Sequence, residues 1–243
     1  MNVVKNRSSK RRSRRTDTVK VLSEISRTIT SDLLIEDILA SIVSVTARLM
    51  GSNICSILLL NKEKGLLETK ATQSVSEKYN KKPPIKVGEG IAGKVILNNK
   101  PIAVKDVKKE TEYKFSDIAK KEGLCSLLCV PLTVKGTAIG VINSYTSKPH
   151  AFTRTEIEIL NAIASLAAVA IENTELLMKA KNIEEELESR KIIERAKGIL
   201  MRDEGLSEEE SYLRIQKYSM DSRKSMKDIA ESLILSYNLR RLR

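Results

Sequence analysis

LESRKIIERAKGILMRDEGLSEEESYLRIQKYSMDSRKSMKDIAESLILSYNL, residues 187–239, holds three amphipathic patterns, each set off by a helix signal. In the first, Leu187, Ile192, Ile193, Ala196, Ile199 and Leu200 recur at helical spacing. That pattern stops near Glu204-Gly205, where glycine can take the positive φ that ends a helix. Ser207 then offers an N-cap oxygen, and Glu210, three residues on, completes a capping box. The second helix is predicted to run to about Met220, with Tyr212, Leu213, Ile215 and Met220 inward. Residues 221–225 form the next break. A third helix then places Met226, Ile229, Ala230, Leu233 and Tyr237 on its apolar side. Two short loops force three consecutive helices to pack as neighbours, so the stretch reads as a compact three-helix module.

Outward from this module, the 243 residues leave room for one large or two ordinary domains. A net charge of +12 and a pI near 9.5 point to an anionic partner. Seven of those charges (Lys5, Arg7, Lys10, Arg11, Arg12, Arg14 and Arg15) lie in residues 1–15 with no acid among them. Such a tail is too polar to bury a core and is expected to be disordered. It reads either as a solvated tail or as an arm adding salt-dependent, sequence-blind affinity for nucleic acid. No apolar run is long enough to span a membrane, and no signal core follows the basic start, so the expected location is the cytoplasm. Cys55, Cys125 and Cys129 are too few for a disulfide framework.

Residues 16–178 read as a first globular domain. Val21, Leu22, Ile25 and Ile29, then Leu34, Ile38, Ile42, Val45 and Leu49, predict two successive helices broken at Ser31-Asp32. Strands are predicted at 56–60 and 66–71, joined by a turn around Glu63-Lys64-Gly65. Further strands are predicted at 101–104, 125–132 and 138–145, the last two joined at Lys135-Gly136-Thr137. A helix from Thr155 to Met178 closes the domain. Helices bracketing a mostly antiparallel sheet make an α+β sandwich.

The run Ile193-Glu194-Arg195-Ala196-Lys197-Gly198-Ile199-Leu200-Met201, the Ser-Glu-Glu helix start, Met220-Asp221-Ser222-Arg223-Lys224 and Ile229-Ala230 together resemble an ANTAR domain. The resemblance implies RNA binding: capture of paired hexanucleotide-loop hairpins in nascent transcripts, which prevents an overlapping terminator from forming. Alanine is common in that family where Ser211 and Tyr218 stand, so local packing is expected to differ. Gly88-Glu89-Gly90-Ile91-Ala92-Gly93, the strand ending Val130-Pro131-Leu132, Ile139-Gly140-Val141-Ile142 and Pro149-His150-Ala151-Phe152-Thr153 resemble a GAF domain. That resemblance implies a regulatory domain that binds a small molecule or dimerises. The Asn-Lys-Phe-Asp-Glu signature of the cyclic-nucleotide subset is missing, which argues against cyclic GMP. No cofactor is predicted, and the ligand is unspecified.

The expected fold is therefore an α+β GAF-like domain, its antiparallel sheet flanked by helices. A long coiled-coil helix over 157–190 follows, and then an all-α three-helix ANTAR module over 187–243. Ile157, Leu160, Ala164, Ala167, Ile171, Thr174 and Met178 step by three and four, a heptad seam that predicts a homodimer. The competing reading is that the 157–171 face packs on its own sheet. With no Pro or Gly between Thr155 and Arg195, one continuous helix can join sensor to effector.

Three motifs are set aside. Gly88–Gly93 fits GxGxxG, but it does not leave a strand inside a βαβ unit, so it reads as a turn feeding a short helix at about 93–98. His150, the only histidine, reads as a loop residue without a partner carboxylate or thiol. Cys125 and Cys129, four apart in a strand, would sit roughly 13 Å apart on one face, too far to bond. No acid–base pair, nucleophile triad or phosphate loop stands out, so no enzyme activity is expected.

For RNA contact, the resemblance points to Arg190, Lys197, Arg223 and Lys224. Charge alone adds Arg195, Arg214, Lys217 and Lys227, and Lys191 also lies off the apolar stripe. Arg190, Glu194, Lys197 and Met201 share a face, and the Ala196-Lys197-Gly198 step thins the helix so that a loop backbone can approach. Ser225 can cap the third helix, whose free N–H groups favour phosphate. The competing functions are a DNA-binding regulator, a nucleotide hydrolase and a non-catalytic adaptor. Asp228 and Glu231 on the third helix oppose the DNA reading, because a recognition helix would press them against phosphates.

Overall fold

The computed structural model describes residues 35–74 and 76–241. The basic tail, the expected helix carrying Val21, Leu22, Ile25 and Ile29, and Leu34 and Arg243 lie outside the described residues. The chain divides into two compact units after Thr174.

The first unit is built on one six-stranded antiparallel sheet. Helix α1 (Ile35–Met50) leads into β1 (Ile54–Asn61) and β2 (Leu66–Thr72). Short α2 (Glu77–Asn80) and β3 (Ile85–Lys86) follow, then α3 (Gly90–Asn98), β4 (Ile102–Val104) and α4 (Ser116–Lys121). Strands β5 (Ser126–Val134) and β6 (Thr137–Thr146) form the central hairpin, and the sheet order is β3-β2-β1-β6-β5-β4. The Lys135-Gly136 turn has φ of 49° and 81°, the left-handed pair a two-residue hairpin needs. Pro131 lies on β5 beyond the end of the β4 pairing, where that strand is an edge on one side.

Both faces of the sheet are covered, which is why its strands read as apolar runs rather than strict alternations. On one face Cys55, Ile57, Leu128, Val130, Leu132 and Ile142 pack against α1 and the early turns of α5 (Arg154–Glu204). On the other, Leu58, Leu127, Cys129, Val141 and Tyr145 pack against α3 and the connecting segments. Helix α1 buries Ile38, Leu39, Ile42, Val43 and Val45, and its Thr46 Oγ1 donates to the Ile42 carbonyl at 2.6 Å, so a buried hydroxyl is satisfied. The α+β sandwich is as expected. The short elements α2, β3 and α4 carry too few residues for a periodicity to show.

Helix α5 corrects one expectation. Leu160, Ala164, Ala167 and Ile171 are buried in the first unit's own core, and Ile157 packs against it. The 157–171 seam is therefore consumed by the sheet and is not available to a second copy. The helix continues unbroken for 51 residues. Among the described residues, no helix is long and apolar enough to cross a membrane.

The second unit consists of the rest of α5 with α6 (Glu208–Ser222) and α7 (Met226–Arg241). Ala196 and Leu200 of α5, Ile215 of α6 and Ala230 of α7 form its small buried core, closed by Ile192, Ile193, Leu206, Met226, Ile229, Leu233 and Ile234. Two of the four central residues are alanines, so the helices approach closely.

Candidate functional site

The helix ends of the three-helix unit are defined by backbone chemistry. Gly205 takes φ 65° beyond Glu204. Ser207 Oγ accepts from the Glu210 N–H at 3.2 Å, while the Ser207 N–H donates to Glu210 Oε2 at 2.8 Å, completing the capping box. The cap sets the phase of α6, so Ser211 and Ile215, four and eight residues on, face inward. The Ser211 hydroxyl donates to the Ser207 carbonyl at 2.9 Å, which allows it to be buried. Tyr212, Leu213 and Met220, expected inward, are exposed, as is Leu187 on α5.

Lys197 departs most from expectation. It is 6% exposed, and its Nζ donates to both carboxylate oxygens of Glu194, at 2.9 and 3.1 Å, and to Glu208 Oε1 at 2.8 Å. The hydrogen bonds to Glu208 and Glu194 raise its ammonium above the ordinary lysine value, and the same contact holds Glu208 below the usual carboxylate range. Lys197 thus ties the α6 N-terminus to α5, and its charge is already matched. Arg214 is similarly committed, in an ion pair with Glu204.

The other candidates face solvent. Arg190 is exposed, with Glu186 3.9 Å away one turn back. Lys191, Arg195, Lys217, Arg223 and Lys224 are exposed, and Lys227 is partly covered. Arg223 occupies the left-handed C-cap of α6 at φ 54°, its N–H donating to the Met220 carbonyl at 3.3 Å. The anion site expected at the start of α7 is already filled. Ser225 caps it by accepting from the Asp228 N–H, and the Asp228 carboxylate accepts in turn from the Ser225 N–H, both at 3.1 Å. Asp228 and Glu231 also line an open hollow on α7 beside Lys224, Ser232 and Leu235, a face unsuited to phosphate.

The residue that sequence reasoning missed is Arg202. Lys191, Arg195, Gly198 and Arg202 step by four, three and four along α5, which puts them on one helix face. Lys191, Arg195 and Arg202 are exposed on it. Arg202 Nε donates to the Gly198 carbonyl at 3.0 Å. A Cβ added at Gly198 would meet nothing within 4 Å. The chain's own packing therefore does not call for glycine there, although glycine in a helix costs about 1 kcal/mol relative to alanine. The signal was present in the spacing of three cations about one glycine.

The first unit holds a second candidate site, a cavity of about 30 Å³ lined by Leu58, Ile85, Ile91, Leu127, Tyr113, Phe115, Tyr145, Asn143 and Lys82 among others. Lys82 Nζ lies 3.2 Å from the Tyr79 ring centroid, 5.5 Å from that of Phe115 and 5.9 Å from that of Tyr145, a cation held by aromatic faces. Burial pulls its ammonium down to about 7, against the opposing charge of Glu122. Tyr113 donates to the Tyr145 hydroxyl at 3.2 Å, and Tyr79 and Ser56 share a hydrogen bond of 3.0 Å. Asn143 is 4% exposed, and its Oδ1 is buried without a partner. Such an acceptor costs roughly 1–3 kcal/mol until something donates to it.

The motifs set aside in the sequence take definite places. Gly88–Gly93 forms a turn and the start of α3, which begins at Gly90 rather than near Gly93. A Cβ at Gly93 would meet the Lys86 carbonyl oxygen at 2.3 Å, so the motif serves close backbone packing. His150 is not alone: Nε2 lies 3.1 Å from both Glu156 oxygens, and its ring meets Phe152 edge-on. Cys125 precedes β5 instead of lying in it; it and Cys129 are both buried free thiols. Burial pushes Cys129 far above the ordinary thiol value. Among the described residues, no cluster of three or more His, Cys, Asp or Glu could hold a metal ion.

Comparison with known proteins follows the same division. The GAF domain model matches residues 32–172 and the ANTAR domain model residues 181–234. Over 91 residues the chain is 33% identical to the transcriptional regulatory protein PdtaR of Mycobacterium tuberculosis, covering 37% of this chain and 42% of that protein. The chain thus spans less than half the length of the curated relatives it matches. In fold, the GAF domain of a phosphoenolpyruvate-protein phosphotransferase from Coxiella burnetii aligns with a TM-score of 0.62 at 22% identity, over 68% of this chain and 98% of that one. The free methionine-R-sulfoxide reductase of Neisseria meningitidis aligns with a TM-score of 0.57 at 20% identity, over 66% of this chain and 91% of that one. A domain of a phosphotransferase and a reductase therefore share this architecture, which carries no activity by itself. On the match over residues 32–172, the chain belongs to the GAF family, and it carries an ANTAR domain after its GAF domain.

Proposed function

We propose that this protein is a cytoplasmic RNA-binding regulator of transcription. Its ANTAR domain captures paired hexaloop hairpins in nascent RNA and so opposes termination, while its GAF domain senses a small ligand and the chain acts as a homodimer. The observation that carries this reading is the exposed stripe of Lys191, Arg195 and Arg202 about Gly198, inside the segment matching the ANTAR model. Hairpin loops present unstacked bases beside phosphate, and a bare helix surface flanked by cations suits both. Arg190, Lys217, Arg223 and Lys224 extend the cationic surface, whereas Lys197 and Arg214 support the module through carboxylate pairs.

The partner-free Asn143 Oδ1 supports the sensing part: a ligand with a hydrogen-bond donor would satisfy it. The cavity has room for only about two waters as it stands. A larger ligand therefore requires the side chains lining the cavity to move apart.

The test is a titration at physiological salt against a two-hairpin hexaloop RNA, a single hairpin and duplex DNA. Preference for the two-hairpin RNA, lost in Arg195→Glu, supports the reading. Equal, salt-sensitive binding to all three rejects it, since counterion release alone then accounts for affinity.

A further inference from the structure

Helix α3 begins without a side-chain cap at the cavity of the first unit. Its N-cap residue, Glu89, makes no side-chain hydrogen bond to the helix. Among the described residues, the N–H groups of Gly90, Ile91 and Ala92 find no acceptor, and the first to find one is that of Gly93, which donates to the Glu89 carbonyl at 3.1 Å. Gly90, Ile91 and Ala92 all line the cavity. Free N–H groups at a helix start carry partial positive charge and hold an anion well. The Glu89 carboxylate is not that anion. Its Oε1 accepts from Lys114 Nζ at 2.7 Å and its Oε2 from the Lys86 N–H at 3.2 Å.

Two side chains lining the same cavity also lack partners. Lys82 rests its ammonium on aromatic rings and forms no ion pair among the described side chains. Glu122, the carboxylate whose charge acts on it, is engaged by Ser76 Oγ at 2.6 Å. Asn143 shares the β6 face of Val141 and Tyr145 by strand alternation, which turns it to the cavity side of the sheet. It is 96% buried, and its Oδ1 has no donor. The cavity therefore offers a cation and three N–H groups without an anion, and one acceptor without a donor.

We propose that this cavity binds a small carboxylate carrying a neighbouring hydroxyl, a 2-hydroxy acid of two or three carbons. The inference rests on the sensing part of the proposed function and names the class of ligand sensed. The carboxylate accepts from the free N–H groups of α3 and from Lys82, and the hydroxyl donates to Asn143 Oδ1. Charge-assisted hydrogen bonds of this kind are about twice as strong as neutral ones. The two carboxylate oxygens match the room for about two waters. The carbon chain needs the lining side chains to move apart, which keeps the ligand short. A 2-amino acid would bring its ammonium beside Lys82. Sulfate or phosphate would point oxygens at Leu58 and Leu127, which have no side-chain donors.

The test is calorimetric titration of the full-length protein with glycolate, L-lactate, acetate, glycine and sulfate. Glycolate or L-lactate should bind about tenfold tighter than acetate, which lacks the donor for Asn143, and tighter than glycine or sulfate. Asn143→Leu should bring glycolate to the level of acetate, and Lys82→Met should weaken both about tenfold or more. Because a core substitution can disturb folding, the parent chain is also labelled with 15N-glycine. Of its ten glycine amides, that of Gly90 should shift when glycolate is added, and that of Gly198, in the other unit, should not. Absence of binding by both hydroxy acids at about 10 mM, glycolate no tighter than acetate, or an unmoved Gly90 resonance overturns the proposal. Glycolate that binds as described without changing RNA affinity rejects the sensing reading and leaves the ligand assignment standing.

Discussion

Lys197 and Gly198 are adjacent, yet their side-chain environments assign them opposite work. Lys197 Nζ is enclosed by Glu194 and Glu208. Lys197→Glu would gather three carboxylates at one junction, and it should lower the Tm of the three-helix unit and its helicity, measured by circular dichroism, along with RNA affinity. Gly198 faces open space, so Gly198→Ala should stabilise the module by about 1 kcal/mol in urea melts while weakening hairpin binding at least tenfold. A stabilised variant with normal affinity would show that nothing approaches the helix there. Lys82 gives a pH signature. Its folded value is about 7 against an ordinary 10.5, so between those values the unfolded chain holds more proton than the folded one. Stability should therefore rise with pH across that window, by at most about 1.4 kcal/mol per pH unit from this group. Lys82→Met should remove that rise in denaturant melts at pH 7 and 9.

At the scale of elements, the caps decide where the helices of the second unit begin and which faces they bury. Ser207→Ala removes the cap that sets the phase of α6 and should cost about 1 kcal/mol in urea melts. Ser225→Ala should cost a similar amount at α7, because the Asp228 N–H loses its acceptor. Helix α5 shows why periodicity alone misleads about partners. A helix this long carries more than one stripe with 3-4 spacing, and sequence spacing cannot say which stripe meets the sheet. Leu160, Ala164, Ala167 and Ile171 are all aliphatic, two of them short, which suits close packing on a sheet as well as on another helix. Their burial in the first unit uses that stripe, while Val169, Leu176, Ile183 and Leu187 on the same helix stay exposed.

At the scale of the whole molecule, two RNA-binding modules on one dimer would bind two linked hairpins with an avidity that one hairpin cannot give. The sequence by itself determined the two-part organisation, the antiparallel sandwich and the capped three-helix module. Those follow from apolar periodicity, turn residues and caps, each written within a few neighbouring positions. It also placed the cations, because charge is a property of composition. Only the tertiary structure decided which cations are free. Glu208 reaches Lys197 across a helix turn and Glu204 takes Arg214, pairings between residues 10 or 11 positions apart whose geometry no local pattern encodes. The same holds for the cavity. Lys82, Asn143 and the tyrosines at 79, 113 and 145 are scattered over some sixty residues, and they meet only because the sheet and its connecting segments bring them together. Burial and partner choice are set by packing between distant segments, and those decided the roles of residues whose types the sequence had already made plain.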